Sequence, residues 1–157
     1  MVGALLPLAL ASRQPPDRDI IVVLKNGQPF VDFPWSVWRL VGLQNRTYCI
    51  RRIELFDARA VLWSLNVPED GPVYHSCLEV KMPLRLGSPL AGFASKGRPQ
   101  FRAGQQYGVA IDGTGNARVD FVLRPGGSAN ITEPERQMEP PCGSQFSDCR
   151  VPTPTRI

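Results

Sequence analysis

The chain has 157 residues, the size of one domain with room for tails, and 43% of them are hydrophobic, enough for a packed core. No run reaches the about 20 apolar residues that a membrane-crossing helix takes, so no transmembrane segment is expected. The net charge is +4, and 15 of the 18 basic residues are Arg; that excess accompanies high Pro, Ala and Gly as codon bias would, so only local clustering of charge points to function.

Residues 1–11, "MVGALLPLALA", are apolar and close on Ala9-Leu10-Ala11, small residues where a secretory signal is cleaved. The basic start of a signal is missing, so this reads as a truncated one. Residues 12–18, "SRQPPDR", form a polar linker. From residue 19 to 124 the chain reads as about eight strands. "DIIVVLKNGQPFVDF" is a hairpin around Asn26-Gly27, a pair suited to a tight turn between antiparallel strands. "WSVWRLVGL" (35–43) and "YCIRRIELF" (48–56) come next as strands, the first being open to a helical reading because short apolar runs do not settle the period. In "RAVLWSLNV", Val61, Trp63, Leu65 and Val67 share one face. "PEDGP" (68–72) is a turn, and "SCLEVKM" (76–82) alternates again.

The closing stretch "YGVAIDGTGNARVDFVLRPGG" (107–127) contains a G-T-G that invites a phosphate or metal reading. A dinucleotide loop needs a third glycine and then a helix; the glycine position holds Arg118, and the residues after it alternate with period two. A calcium loop needs Gly and Glu where Ala117 and Leu123 stand. The stretch is therefore a β-hairpin. The even series of strands and turns, with no convincing helix, predicts an all-β antiparallel sandwich, of immunoglobulin/fibronectin-like or jelly-roll-like type. Residues 125–157 hold 6 Pro and few large apolar residues, and read as a flexible tail.

Four cysteines in a chain read as exported predict two disulfides. Cys49 pairs with Cys77, both in predicted strands, and Cys142 with Cys149, closing a small loop in the tail. A zinc site from His75, Cys77 and Cys49 lacks an evident fourth ligand, so no metal or cofactor is expected. His75 is the single histidine, so a Ser-His-Asp or Cys-His site would have to use it. No G-x-S-x-G elbow occurs, and "GFASKG" (92–97) has the wrong residue before its serine. Carboxylate pairs at Glu54/Asp57 and Glu69/Asp70 read as surface charge. The sequons at Asn45 and Asn130 matter only for a eukaryotic or viral source.

The most informative irregularity is residues 83–104, long for a connection and inside a span, between Glu79 and Asp112, without one acidic residue. Arg85, Lys96, Arg98 and Arg102 lie in it, and cations on a loop can receive phosphate, sulfate or an acidic polysaccharide. A second basic run, Arg39, Arg46, Arg51, Arg52 and Arg59, mixes with Trp35, Trp38 and Tyr48. Neighbouring strand residues face opposite ways, so this run splits between faces and no nucleic-acid partner is expected.

The expectation is a periplasmic or extracellular, non-catalytic β-sandwich module. It binds or supports an envelope or extracellular protein at a sheet edge, or an anionic glycan or surface at Arg85, Lys96, Arg98 and Arg102. Two alternatives remain. One is a small secreted hydrolase on an anionic substrate, using His75 or a carboxylate. The other is a secreted inhibitor or immunity-type protein, which requires an exposed aromatic anchor such as Phe93 or Phe101.

Overall fold

The computed structural model describes residues 20–33, 47–69, 77–113, 115–126, 128–132 and 136–149. The signal segment 1–11, the linker 12–18, the strand expected at 35–43 and His75 lie outside the described residues. Ten strands and no α-helix occupy the described parts: β1 Ile21–Lys25, β2 Gln28–Asp32, β3 Thr47–Phe56, β4 Val61–Asn66, β5 Leu78–Lys81, β6 Leu84–Arg85, β7 Ala94–Gly97, β8 Gln106–Gly113, β9 Asn116–Arg124 and β10 Ser128–Ile131. No helix among the described residues is long and apolar enough to cross a membrane.

The strands make two antiparallel sheets. The small one runs β1-β2-β6, and the large one runs β10-β9-β8-β3-β4-β7, with β5 pairing the first half of β3. The β1–β2 hairpin closes at Lys25↔Gln28, with Asn26 and Gly27 both at positive φ, as its Asn-Gly turn requires. The 107–127 stretch is a hairpin whose register closes at Asp112↔Asn116. The predicted sandwich is thus the observed one.

Period-two alternation builds the core between the sheets. Ile53 and Leu55 of β3, Trp63 and Leu65 of β4, Tyr107, Val109 and Ile111 of β8, and Val119 and Phe121 of β9 point inward from the large sheet. Val22, Val31 and Leu84 meet them from the small one. The Cys49–Cys77 disulfide ties β3 to the chain just before β5, and the Cys142–Cys149 disulfide closes the small loop; their Cα atoms are 5.1 and 5.5 Å apart. Both pairings match those predicted.

Two stretches differ from expectation. Residues 83–104 are not one loop. β6 adds to the small sheet beside β2, and β7 forms an edge of the large sheet beside β4. Two- and four-residue strands carry too few alternating positions to register as a period.

The second difference lies after Arg124, where the described part of the expected tail is built into the fold. Ser128–Ile131 pairs with β9, and residues 136–149 lie over the outer face of the large sheet. The reason is polar rather than hydrophobic. Glu54 and Asp120 point outward from β3 and β9, yet are 3% and 0% exposed. Buried carboxylates require donors, and the C-terminal strap supplies them. Ser144 Oγ and Gln145 N donate to Glu54, and Met138 N donates to Asp120. A segment poor in large apolar residues is thereby held without a hydrophobic stripe of its own.

Candidate functional site

At one end of the large sheet the β3–β4 turn, the end of β7, the start of β8 and the strap enclose a concavity of about 730 Å³. Its sequence logic starts at the turn "DARA". Asp57 Oδ1 accepts from the backbone N–H of Arg59 and Ala60 at 2.8 and 2.9 Å, and Asp57 N donates to Ala60 O at 3.0 Å. The carboxylate fixes the turn, and the turn presents Arg59 to the concavity.

The opposite wall begins at Gly97. It has φ +84, and a Cβ there would lie 3.1 Å from Trp63 Cα and overlap the Leu62 carbonyl oxygen. Only glycine lets β7 lie that close to β4 and then turn away. The chain that leaves it carries Arg98, Gln100 and Arg102 into the wall.

Tyr107 pins that arc. Its ring is fully buried, stacked on Phe121 at 5.6 Å and edge-on to Phe101 at 5.4 Å. Its hydroxyl accepts from Arg102 N at 2.7 Å and donates to Gln100 O at 3.4 Å. Gly104 N adds a hydrogen bond to Leu123 O. Leu62 and Met138 supply the apolar part of the lining.

The electrostatics are one-sided. Arg59, Arg98 and Arg102 are exposed, and none is in an ion pair or side-chain hydrogen bond among the described residues. The one carboxylate in the lining among the described residues, Asp57, accepts hydrogen bonds on both oxygens, because Oδ2 accepts from Gln105 Nε2 at 3.0 Å. Gln106 Nε2 donates to Asp120 Oδ2 and to Arg136 O at 3.4 and 3.1 Å. Gln106 thus commits both of its N–H groups and Gln105 one of its two, and each leaves its amide oxygen without a donor among the described residues.

Of the four cations singled out in residues 83–104, the fold brings two together. Arg98 and Arg102 line the concavity. Arg85 sits on β6 in the small sheet, exposed, with its guanidinium on Gln28 Oε1 at 3.1 Å. Lys96 stands on the exposed edge strand β7, opposite Ser64, and is not part of the lining.

The second basic run is dispersed. Arg39 and Arg46 lie outside the described residues. Arg51 pairs with Asp112 at 2.8 Å, Arg52 lies over the Phe146 ring at 5.5 Å, and Arg59 joins the concavity. Sequence reasoning read Arg59 only as part of that run, and missed Gln100, Gln105, Gln106 and Met138; the Asp57 turn and the tyrosine at 107 were the available signals.

Other candidates also find their places. Cys49 and Cys77 are joined, so neither thiolate is available to a metal. No group of three or more His, Cys, Asp or Glu that could hold a metal ion occurs among the described residues. Phe93 and Phe101 are half-buried and pack against the core, so neither is the exposed anchor an inhibitor loop would carry. Asn130 of the second sequon lies half-buried on β10, with its carboxamide oxygen facing the Arg124 guanidinium.

No protein-family model, curated protein or solved structure matches the chain.

Proposed function

We propose that the chain is an exported, non-catalytic β-sandwich module that binds an anionic group of an envelope or extracellular partner in the concavity formed by Arg59, Arg98 and Arg102. One observation carries this reading. Three arginines from two separate segments line one hollow, and the one carboxylate beside them among the described residues already accepts hydrogen bonds from the turn and from Gln105. Like charges are gathered at a cost unless an anion joins them, and the planar fork of Arg suits a carboxylate, phosphate or sulfate.

Two disulfides fit an oxidising compartment, in keeping with export. The commitment of Asp57 also counts against a hydrolase, whose general base would have to face the arginines and be free to take a proton.

The test is salt elution from immobilised polyanions, sulfated and carboxylated, with two charge-matched double variants. Arg98→Gln/Arg102→Gln is expected to elute at clearly lower salt than Arg85→Gln/Lys96→Gln. Equal elution of the two would show that net charge alone holds the protein, and would overturn the proposal.

A further inference from the structure

We infer that the ligand of this concavity is an acidic saccharide, a chain or terminus carrying uronate carboxylates and free hydroxyl groups. This deepens the anion-binding reading and rests on it. The volume of about 730 Å³ lies in the range of sites that enclose small organic molecules and is more than a lone oxyanion fills.

The lining then discriminates among anions. Arg59, Arg98 and Arg102 ask for negative oxygens, but Gln106 presents an acceptor, since both its N–H groups are bound to Asp120 and Arg136 O, while Gln105 spends one of its two N–H groups on Asp57 and offers its oxygen and the other N–H. An amide oxygen next to a fully deprotonated sulfate or phosphate gains nothing. A ligand satisfying both sets must bring negative oxygens and hydrogen-bond donors a bond or two apart, as a uronic acid does with its carboxylate and ring hydroxyls. Gln100, whose side chain has no partner among the described residues, can serve either kind of group.

Other classes of anion fit less well. No aromatic side chain lines the hollow among the described residues, so they offer a nucleobase no surface to stack on. Among the described residues the apolar lining is Ala58, Leu62 and Met138, which gives an acidic peptide no deep pocket for an anchoring side chain. Those same aliphatic groups suit the C–H face of a sugar ring.

The experiment is titration calorimetry of the full chain, with ¹⁵N shift mapping, against four probes. They are a linear uronic-acid tetrasaccharide, its carboxyl-reduced neutral counterpart, inorganic phosphate, and a Glu-rich hexapeptide. The uronate is expected to bind, to shift the amides of residues 57–60 and 98–106, and to weaken by roughly tenfold for each guanidinium lost in Arg98→Gln and Arg102→Gln. The neutral sugar is expected to give no signal.

Phosphate or peptide binding at these amides without uronate binding would overturn the saccharide assignment and leave the anion site standing. Silence from all four probes would overturn both. Because the probes are compared on the unaltered protein, misfolding of a variant does not blur the result.

Discussion

The outer face of the large sheet handles charge in two opposite ways within one molecule. Toward β9 and the middle of β3, Asp120 and Glu54 are buried, and donors from Gln106, Arg118, Met138, Ser144 and Gln145 meet them. At the end of the same face, Arg59, Arg98 and Arg102 stand exposed and in no ion pair among the described residues, with Asp57 as the one carboxylate of the described lining. The first arrangement gives both carboxylates donors within the chain, although Arg118 Nη2 is buried without a hydrogen-bond partner among the described residues, and its work is structural: it straps residues 136–149 to the sheet. The second leaves three like charges unpaired among the described residues, which is why the proposed anion is assigned to it. The two share an element, because Met138 donates to Asp120 through its backbone and lines the concavity with its side chain.

The largest expected effect comes from breaking the buried carboxylate site. Asp120→Ala strands Met138 N and the Arg118 guanidinium, whose Nε lies 3.3 Å from Asp120 Oδ1. Removing one partner of a buried, hydrogen-bonded charge typically costs about 3–5 kcal/mol, and the partial exposure of Arg118 argues for about 3. Urea unfolding checks the value, and limited proteolysis should show cleavage within 136–149. A loss under about 1 kcal/mol would mean that the carboxylate does not hold the strap.

Gly108→Ala comes next. Its Cβ would stand 2.6 Å from Phe56 Cζ and 3.0 Å from Asp120 Oδ1, and Phe56 is itself covered by the Arg118 guanidinium at 5.3 Å. Overpacking there should cost about 1–3 kcal/mol; thermal unfolding measures it, and an unchanged midpoint would show that this layer is loosely packed.

Tyr107→Phe probes the link between the core and the exposed arginines. Loss of the acceptor for Arg102 N should cost about 1–2 kcal/mol. It should also weaken polyanion binding although no charge has changed, which salt elution reads directly. The smallest effect on stability is expected from Arg98→Gln/Arg102→Gln, within about 0.5 kcal/mol of wild type. The pair of results sharpens the comparison: the buried carboxylates govern unfolding, and the exposed arginines govern binding with little effect on unfolding. A large stability loss on removing the arginines would erase the distinction.

Much of the fold is legible in the chain's local patterns. Alternation in 61–67 and 106–124 marks strands β4, β8 and β9, because a two-residue period with one apolar face has one stable solution, a strand with that face inward; in 48–56 the period breaks at Arg51-Arg52, where β3 shifts register against β8. Asn26-Gly27 marks the first hairpin through its tolerance of positive φ. The cysteine count and spacing point to both disulfides.

What escaped was whatever short or polar segments contribute. Strands β6, β7 and β10 span two to four residues, too few for a period to declare itself, and β6 and β7 take their pairing from neighbours distant in the chain. Glu54 and Asp120 looked like solvent-facing residues of alternating strands and are buried because the strap returns over them.

The candidate site divides in the same way. Composition already showed a cationic stretch between Glu79 and Asp112, and Arg98 and Arg102 were named in it. That Arg85 and Lys96 leave the group while Arg59 enters it depends on strand pairing.

By itself, then, the sequence determined the sandwich class, the principal strands, the disulfides and the sign of the charge on the chain after β5, since each depends on residues close together or on simple counts. Only the tertiary structure decided which cations share a hollow, which carboxylates are buried and hydrogen-bonded, and where the C-terminal segment lies. Those depend on contacts across the sheet, between residues as far apart as Glu54 and Ser144, and no local period or composition encodes a partner 90 residues away.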